Sequence, residues 1–168
     1  MTPAQALYPT IAVDYEDEIQ NTRKLLERVP LDDAHRNFKP HPKSMSLERL
    51  ASHVAEAPGW IKLLFDGDVL EMDPNYKPEI ATSSKELLAM YEKAAEQGRA
   101  ALDGASDAVM QKNWTFKFGD MVLKNSRAKW ARSFINHMIH HRAQLGVYLR
   151  LNGIPVPGMY GPSADEQQ

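Results

Sequence analysis

The run from Asn125 to Leu151 constrains this chain more than any other stretch. Trp130, Phe134, His137, His141, Leu145 and Tyr148 recur at steps of three and four, the spacing of one helix face. A second line on the same run, Ile135, Ile139, Gly146 and Leu149, is also apolar or small. A helix apolar on two sides is buried on two sides, by other helices or by a second subunit. Asn125 or Ser126 is predicted to cap its start, and Asn152-Gly153 with Pro155 to end it. His137 and His141 lie one turn apart among large neighbours, so both imidazoles are expected to point toward a core. A buried imidazole needs a partner for each ring nitrogen. Two of them on one inward stripe make a candidate metal site.

Three more helical patterns precede this one. Thr2, Pro3 and Gln5 read as a capped helix start, followed by a stripe of Leu7, Ile11, Tyr15, Ile19, Leu26 and Val29 that Pro30 ends. The acidic cluster at Asp14, Glu16, Asp17 and Glu18 reads as a solvated flank. Leu31 to Lys43 is proline-rich at its edges and is predicted to be an extended connector, with His35 and His41 exposed. A second helix opens at Ser44 or Ser46. One line on it is Leu47, Leu50, Val54, Ile61 and Phe65; a second is Leu50, His53, Ala57, Trp60 and Leu64, which puts His53 at the edge of the buried face. Pro58 cannot donate to the Val54 carbonyl, so a kink is expected there. Val69 to Thr82 reads as a loop.

Ser83 and Glu86 form a capping-box pattern that opens the third helix, with Leu87, Tyr91, Ala94, Ala95, Gly98 and Leu102 inward. Its small residues would let a neighbour approach closely. Trp114 to Leu123 alternates apolar and polar residues around Gly119-Asp120, which predicts a short hairpin or a pair of extended segments, packed on the helices as a flap. Residues 153–168 form an extended tail, in which Tyr160 is expected to pack at a defined place, across a dimer or near the site mouth. The expected architecture is all-α: a four-helix bundle with a hairpin insertion before the last helix, one domain over residues 1–168.

Charge and composition restrict the function. The formal net charge is -2, which argues against the broad attraction to nucleic acid or anionic membranes that a basic face provides. There are no cysteines, so a transition-metal site must be built from histidine and carboxylate. No run reaches the ~20 apolar residues of a membrane span, and the start lacks a secretory pattern, so a cytoplasmic address is expected.

A His-x-x-x-His pair also occurs as hydrogen-bonded core histidines. A third ligand from a facing helix sharpens the metal reading, and His53 is the one histidine on another predicted helix. Three imidazoles with an open position suit Zn²⁺; nickel and other divalent ions also accept nitrogen donors. His140 falls on the rim of the histidine face. Glu56, one turn after His53, would orient an imidazole or act as a base, or else be an ordinary exposed acid. Arg142 would hold a substrate carboxylate or, the better choice, form an ion pair between helices or subunits. Trp60, Trp130, Phe134 and Tyr148 are the expected pocket walls.

The segments Ser44-Met45-Ser46-Leu47, His53-Val54-Ala55-Glu56 and Pro58-Gly59-Trp60 resemble the second helix of the DinB-like (damage-inducible) family. Asn136-His137, His140 through Leu145 and Tyr148-Leu149-Arg150 resemble that family's last helix, and Val156 through Glu166 is similar to its tail. The resemblance implies a four-helix bundle, usually dimeric, with a divalent metal held by three histidines; by position these are His53, His137 and His141. Relatives include thiol-dependent S-transferases and isomerases that use low-molecular-weight thiols, alongside members with no assigned reaction. Three readings therefore stand: a metal-dependent thiol transferase or hydrolase acting on a small electrophile, a non-catalytic metal-binding or stress-response protein, and a structural bundle without metal.

Overall fold

The computed structural model describes residues 7–166, and side chains from residue 10 onward. The predicted cap at Thr2, Pro3 and Gln5, and the side chain of Leu7, lie outside the described residues. Helix α1 spans Leu7–Leu26 and buries Ile11, Tyr15, Ile19, Thr22 and Leu26. It stops short of Pro30 because the residue before a proline is driven out of helical geometry. The chain tightens into i→i−3 bonds instead, Arg28 N to Leu25 O at 3.0 Å and Val29 N to Leu26 O at 3.1 Å.

Helix α2 spans Leu47–Glu56, with the Ser46 hydroxyl accepting from Arg49 N at its start. The break expected at Pro58 is a 3₁₀ turn over Ala57–Gly59, after which a single turn, α3, covers Trp60–Leu63. Helix α4, Ser84–Asp103, buries Leu87, Tyr91, Ala94, Ala95, Gly98 and Leu102, and Ser83 caps it. The Glu86 carboxylate bonds Thr82 N at 2.8 Å, one residue earlier than a capping box requires. The close approach that the small residues allow is made by Tyr15, whose hydroxyl lies 3.1 Å from both the Pro58 and the Ala95 carbonyl oxygens. A Cβ on Gly98 would collide with that hydroxyl and lie 2.6 Å from Pro58 O. Glycine is therefore required where α1, α4 and the kink meet.

The all-α expectation needs correction: the protein is mostly helical with a small three-stranded sheet. Strand β1 is Val69–Glu71, β2 is Asn113–Phe118 and β3 is Met121–Ser126. The β2–β3 hairpin is the one expected at Gly119-Asp120, with Phe118 opposite Met121 and Gly119 at a φ of +54°. The segment read as a loop supplies the third strand, β1, which pairs parallel to β2 with Val69 opposite Thr115. A short helical turn, α5 (Asp107–Met110), also intervenes before β2. Trp114 on β2 is fully buried and seats the sheet on the helices.

Helix α6, Arg127–Leu151, begins at the Ser126 cap. Its first residue anchors the sheet: the buried Arg127 guanidinium donates to Leu64 O at 2.7 Å, Asn113 O at 3.1 Å and the Asp68 carboxylate at 2.6 Å. Beyond Gly153, whose φ is +71°, the tail is extended as expected. It is tied back by Arg150 to Asp165, at 2.9 and 2.6 Å, which with the Val156 amide holds the Asp165 carboxyl down at about 2. No helix among the described residues is long and apolar enough to cross a membrane.

Candidate metal centre

The fully buried line on α6 is Ala131, Ile135, Met138, Arg142, Leu145 and Leu149. The expectation that the histidine face is the core face is thus corrected by about a third of a turn. Trp130, Phe134, His137 and His141 are half-buried, at the margin where α6 faces α2. A ligand site benefits from that position, because donors buried on all sides would leave a substrate no way in.

His53 reaches across from α2. Its Nε2 lies 2.8 Å from Nε2 of His137, and its ring centroid is 4.6 Å from that of His141. One ligand nitrogen from each of His53, His137 and His141 lies within 4.8 Å of the others. Outward-facing nitrogens are already engaged. His53 Nδ1 meets the Glu56 carboxylate at 2.8 Å, and His141 Nδ1 meets the Gln144 side-chain oxygen at 2.9 Å. Both acceptors fix the proton on Nδ1 and leave the Nε2 lone pair directed inward.

Neutral rings are also what the environment favours. Burial, reinforced by His141, His53 and His140, lowers His137 from its ordinary value to about 4, and burial likewise lowers His141. Imidazole nitrogens at this range, with the outer nitrogens of His53 and His141 held by Glu56 and Gln144, form a group that could hold a cation. Zinc–nitrogen bonds of ~2.0–2.1 Å in a tetrahedron separate donors by about 3.3 Å, so His53 and His137 need spread by only about half an ångström to share one ion. The donor set fits a divalent transition metal.

The expected walls divide into two groups. The Trp60 ring centroid stands 5.2 Å from that of His53 and 4.8 Å from that of His137, and Phe134 follows at 6.0 Å from Trp60. Trp130 is one step further along, stacked in the Trp114–Phe134 cluster with its Nε1 donating to Trp114 O at 3.1 Å. Tyr148 lies on the opposite side of the histidines, its hydroxyl donating to Met45 O at 3.1 Å. There it lines, with His141, Lys43, Met45 and Gln144, an open cavity of ≈ 380 Å³.

Glu56 is at the site, and orients His53. It also lies 3.4 Å from the Tyr76 hydroxyl and 3.9 Å from Nη1 of Arg49. Arg142 is elsewhere: its guanidinium pairs with Glu18 of α1 at 2.7 Å and bonds Thr22 Oγ1 and the Tyr160 hydroxyl. It is the interhelical ion pair, and with Glu18 it holds the hydroxyl of Tyr160, a residue that stays largely exposed. His140 is on the rim, exposed, with its Nε2 3.1 Å from Gln144 Nε2. His35 and His41 stay in the connector, His35 against Asp32 at 2.7 Å. Sequence reasoning missed Gln144, Arg49 and Tyr76. Gln144 sat three residues after His141, a legible position for an orienting acceptor; Tyr76 carried no signal, being in a loop.

A sequence model of the DinB family matches residues 8–168. The chain is 29% identical over 153 residues to the uncharacterized protein YrdA of Bacillus subtilis, covering 90% of this chain and 87% of that protein. Its fold is similar to that of a DinB-like protein from Bacillus cereus, with a TM-score of 0.70 at 24% identity over 90% of this chain and 97% of that one. It is also similar to a DinB-like protein, YjoA, from Bacillus subtilis, with a TM-score of 0.66 at 20% identity over 95% and 99% of the two chains. With the match running through all the main helices, the sheet and the tail, the chain belongs to the DinB family.

Proposed function

We propose that this DinB-family protein holds one divalent transition-metal ion on His53, His137 and His141 and acts as a metal-dependent enzyme on a small electrophilic substrate, by thiol S-transfer or hydrolysis. The observation that carries the reading is the convergence of three imidazole nitrogens from α2 and α6, two with their outer nitrogens already held by Glu56 and Gln144. Zinc is the first choice of ion and nickel the second, on the all-nitrogen donor set. Such an ion supplies Lewis acidity, which acidifies a water or thiol in its open position. The chain's own part is to aim the donors, to exclude water on the Trp60–Phe134 side and to admit a small molecule, here a low-molecular-weight thiol, on the Tyr148 side. The reading includes a homodimer, supported by the exposed apolar Leu151 on α6.

A second reading, metal binding without catalysis, is favoured by one observation. Glu56 is committed to His53 and Arg142 to Glu18, so neither proposed helper is free to act on a substrate. The readings are separated by elemental analysis of untagged protein, followed by a screen of the metal-loaded protein. One equivalent of metal in wild type, lost in His137→Ala, supports the centre; near-zero metal in both rejects it. Turnover of a thiol with an electrophile, or of an ester, that disappears in folded His53→Ala supports the enzyme. A loaded protein inert across the screen supports the binder.

A further inference from the structure

The cavity beside His141 has a charge pattern that the metal centre alone does not require. Lys43 stands at its edge and, among the described residues, forms no ion pair. No carboxylate lines the cavity; Met45, Leu50 and Val147 give it an apolar side, and Ser44, His141, Gln144 and Tyr148 line the rest with Lys43. Arg49, one turn before His53, adds a second cation nearby, and its Nη1 is buried without a hydrogen-bond partner, 3.9 Å from Glu56. Glu56, 3.9 Å from Arg49, offsets that cation and leaves the charge of Lys43 uncompensated. Such an imbalance around a concave, partly apolar site suits an anionic ligand.

The chemistry of the anion is narrowed by the backbone. Lys43 N is bonded to His41 Nδ1 at 3.2 Å and Ser44 N to His41 O at 2.8 Å. Those two amides are not available for the nest of N–H groups that typically cradles a phosphate. A lone ammonium above an apolar wall suits the smaller charge of a carboxylate.

We propose that this cavity receives the carboxylate end of a small amphipathic ligand. Lys43 pairs with the carboxylate, Met45, Leu50 and Val147 contact the ligand body, and the ligand's far end reaches the centre past His141. The last of these rests on the metal reading; the role of Lys43 does not. Specificity for a negatively charged substrate then resides in a connector residue outside the histidine constellation.

The test uses amide-resolved NMR titration of 3-mercaptopropionate, with 2-mercaptoethanol as the uncharged comparator, into zinc-loaded and metal-free protein. Shifts are expected at residues 43–45 and around His141 with the carboxylate in both forms. Lys43→Gln is expected to weaken 3-mercaptopropionate binding about fivefold while leaving 2-mercaptoethanol unaffected, and Lys43→Arg to restore it. Equal binding by wild type and Lys43→Gln, or no shifts at the cavity in either form, overturns the proposal. A protein that takes up neither zinc nor nickel yet shows the Lys43-dependent shifts retires the metal reading and leaves the carboxylate site standing. Zinc uptake without Lys43 dependence does the reverse.

Discussion

Glu56 accepts the Nδ1 proton of His53 across 2.8 Å, so the carboxylate decides which nitrogen of that ring faces the other two histidines. Orienting partners of this kind typically change metal affinity by about 10–100-fold when removed. Glu56→Ala is therefore expected to weaken zinc binding by that factor without abolishing it, whereas His53→Ala abolishes it. Competition against a chromophoric chelator reads both. Unchanged affinity in Glu56→Ala would show that His53 orients itself.

The folded-state pKa of His137, about 4, lies below the ordinary value of 6.5. A histidine shifted this way binds fewer protons folded than unfolded, so the metal-free protein should be fully stable above about pH 6.5 and lose stability as the pH falls toward 4. Urea midpoints of metal-free protein at pH 7.5 and pH 5 test the sign, and in His137→Phe the slope should flatten. Protons and metal compete for the same lone pairs, so zinc should be released as the pH falls.

Arg142 and Glu18 form a buried pair between α6 and α1, with side chains 3% and 12% exposed. Removing one partner leaves a charge in the interior and costs about 3–5 kcal/mol. Arg142→Met is thus expected to lower stability by about that amount and to leave metal stoichiometry at wild-type level. Chemical denaturation and elemental analysis on the same sample separate this from a role at the centre, which would show as lost metal in a stable protein.

Gly98→Ala places a methyl group against the Tyr15 hydroxyl and 2.6 Å from the Pro58 carbonyl oxygen. Overpacking of this kind costs about 1–3 kcal/mol. Tyr15→Phe removes the hydroxyl and part of the clash, so the double variant should lose less stability than the two single losses added together. Additive losses in urea denaturation would place the strain on the contacts that phenylalanine retains, the ring carbon and the Pro58 carbonyl oxygen.

Much of this arrangement was legible from spacing. The inward residues of α4 are those the periodicity named, and Pro58 broke the helix because a missing N–H acts locally whatever surrounds it. His53, His137 and His141 meet because a histidine at a helix edge points at the neighbouring helix. What spacing did not disclose was non-local. Strand β1 is three residues long and exists only because β2, more than forty positions later in the chain, offers it a partner. Arg127 read as an ordinary cation, yet it supplies hydrogen bonds to the backbone of two distant segments, at Leu64 and Gly67 and at Asn113. The core line on α6 was misassigned because Arg142 interrupts it, and a charged residue enters a core line only with a partner, Glu18, that periodicity does not reveal.

His53 and His137 are separated by 84 positions along the chain but by one hydrogen-bond length in space. Any excursion that parts α2 from α6 dismantles the donor set at one stroke, leaving only the His137–His141 pair on a single helix. Retention of an ion would then track the rarity of that excursion, and its escape rate would clock the breathing of two helices rather than the strength of any one bond.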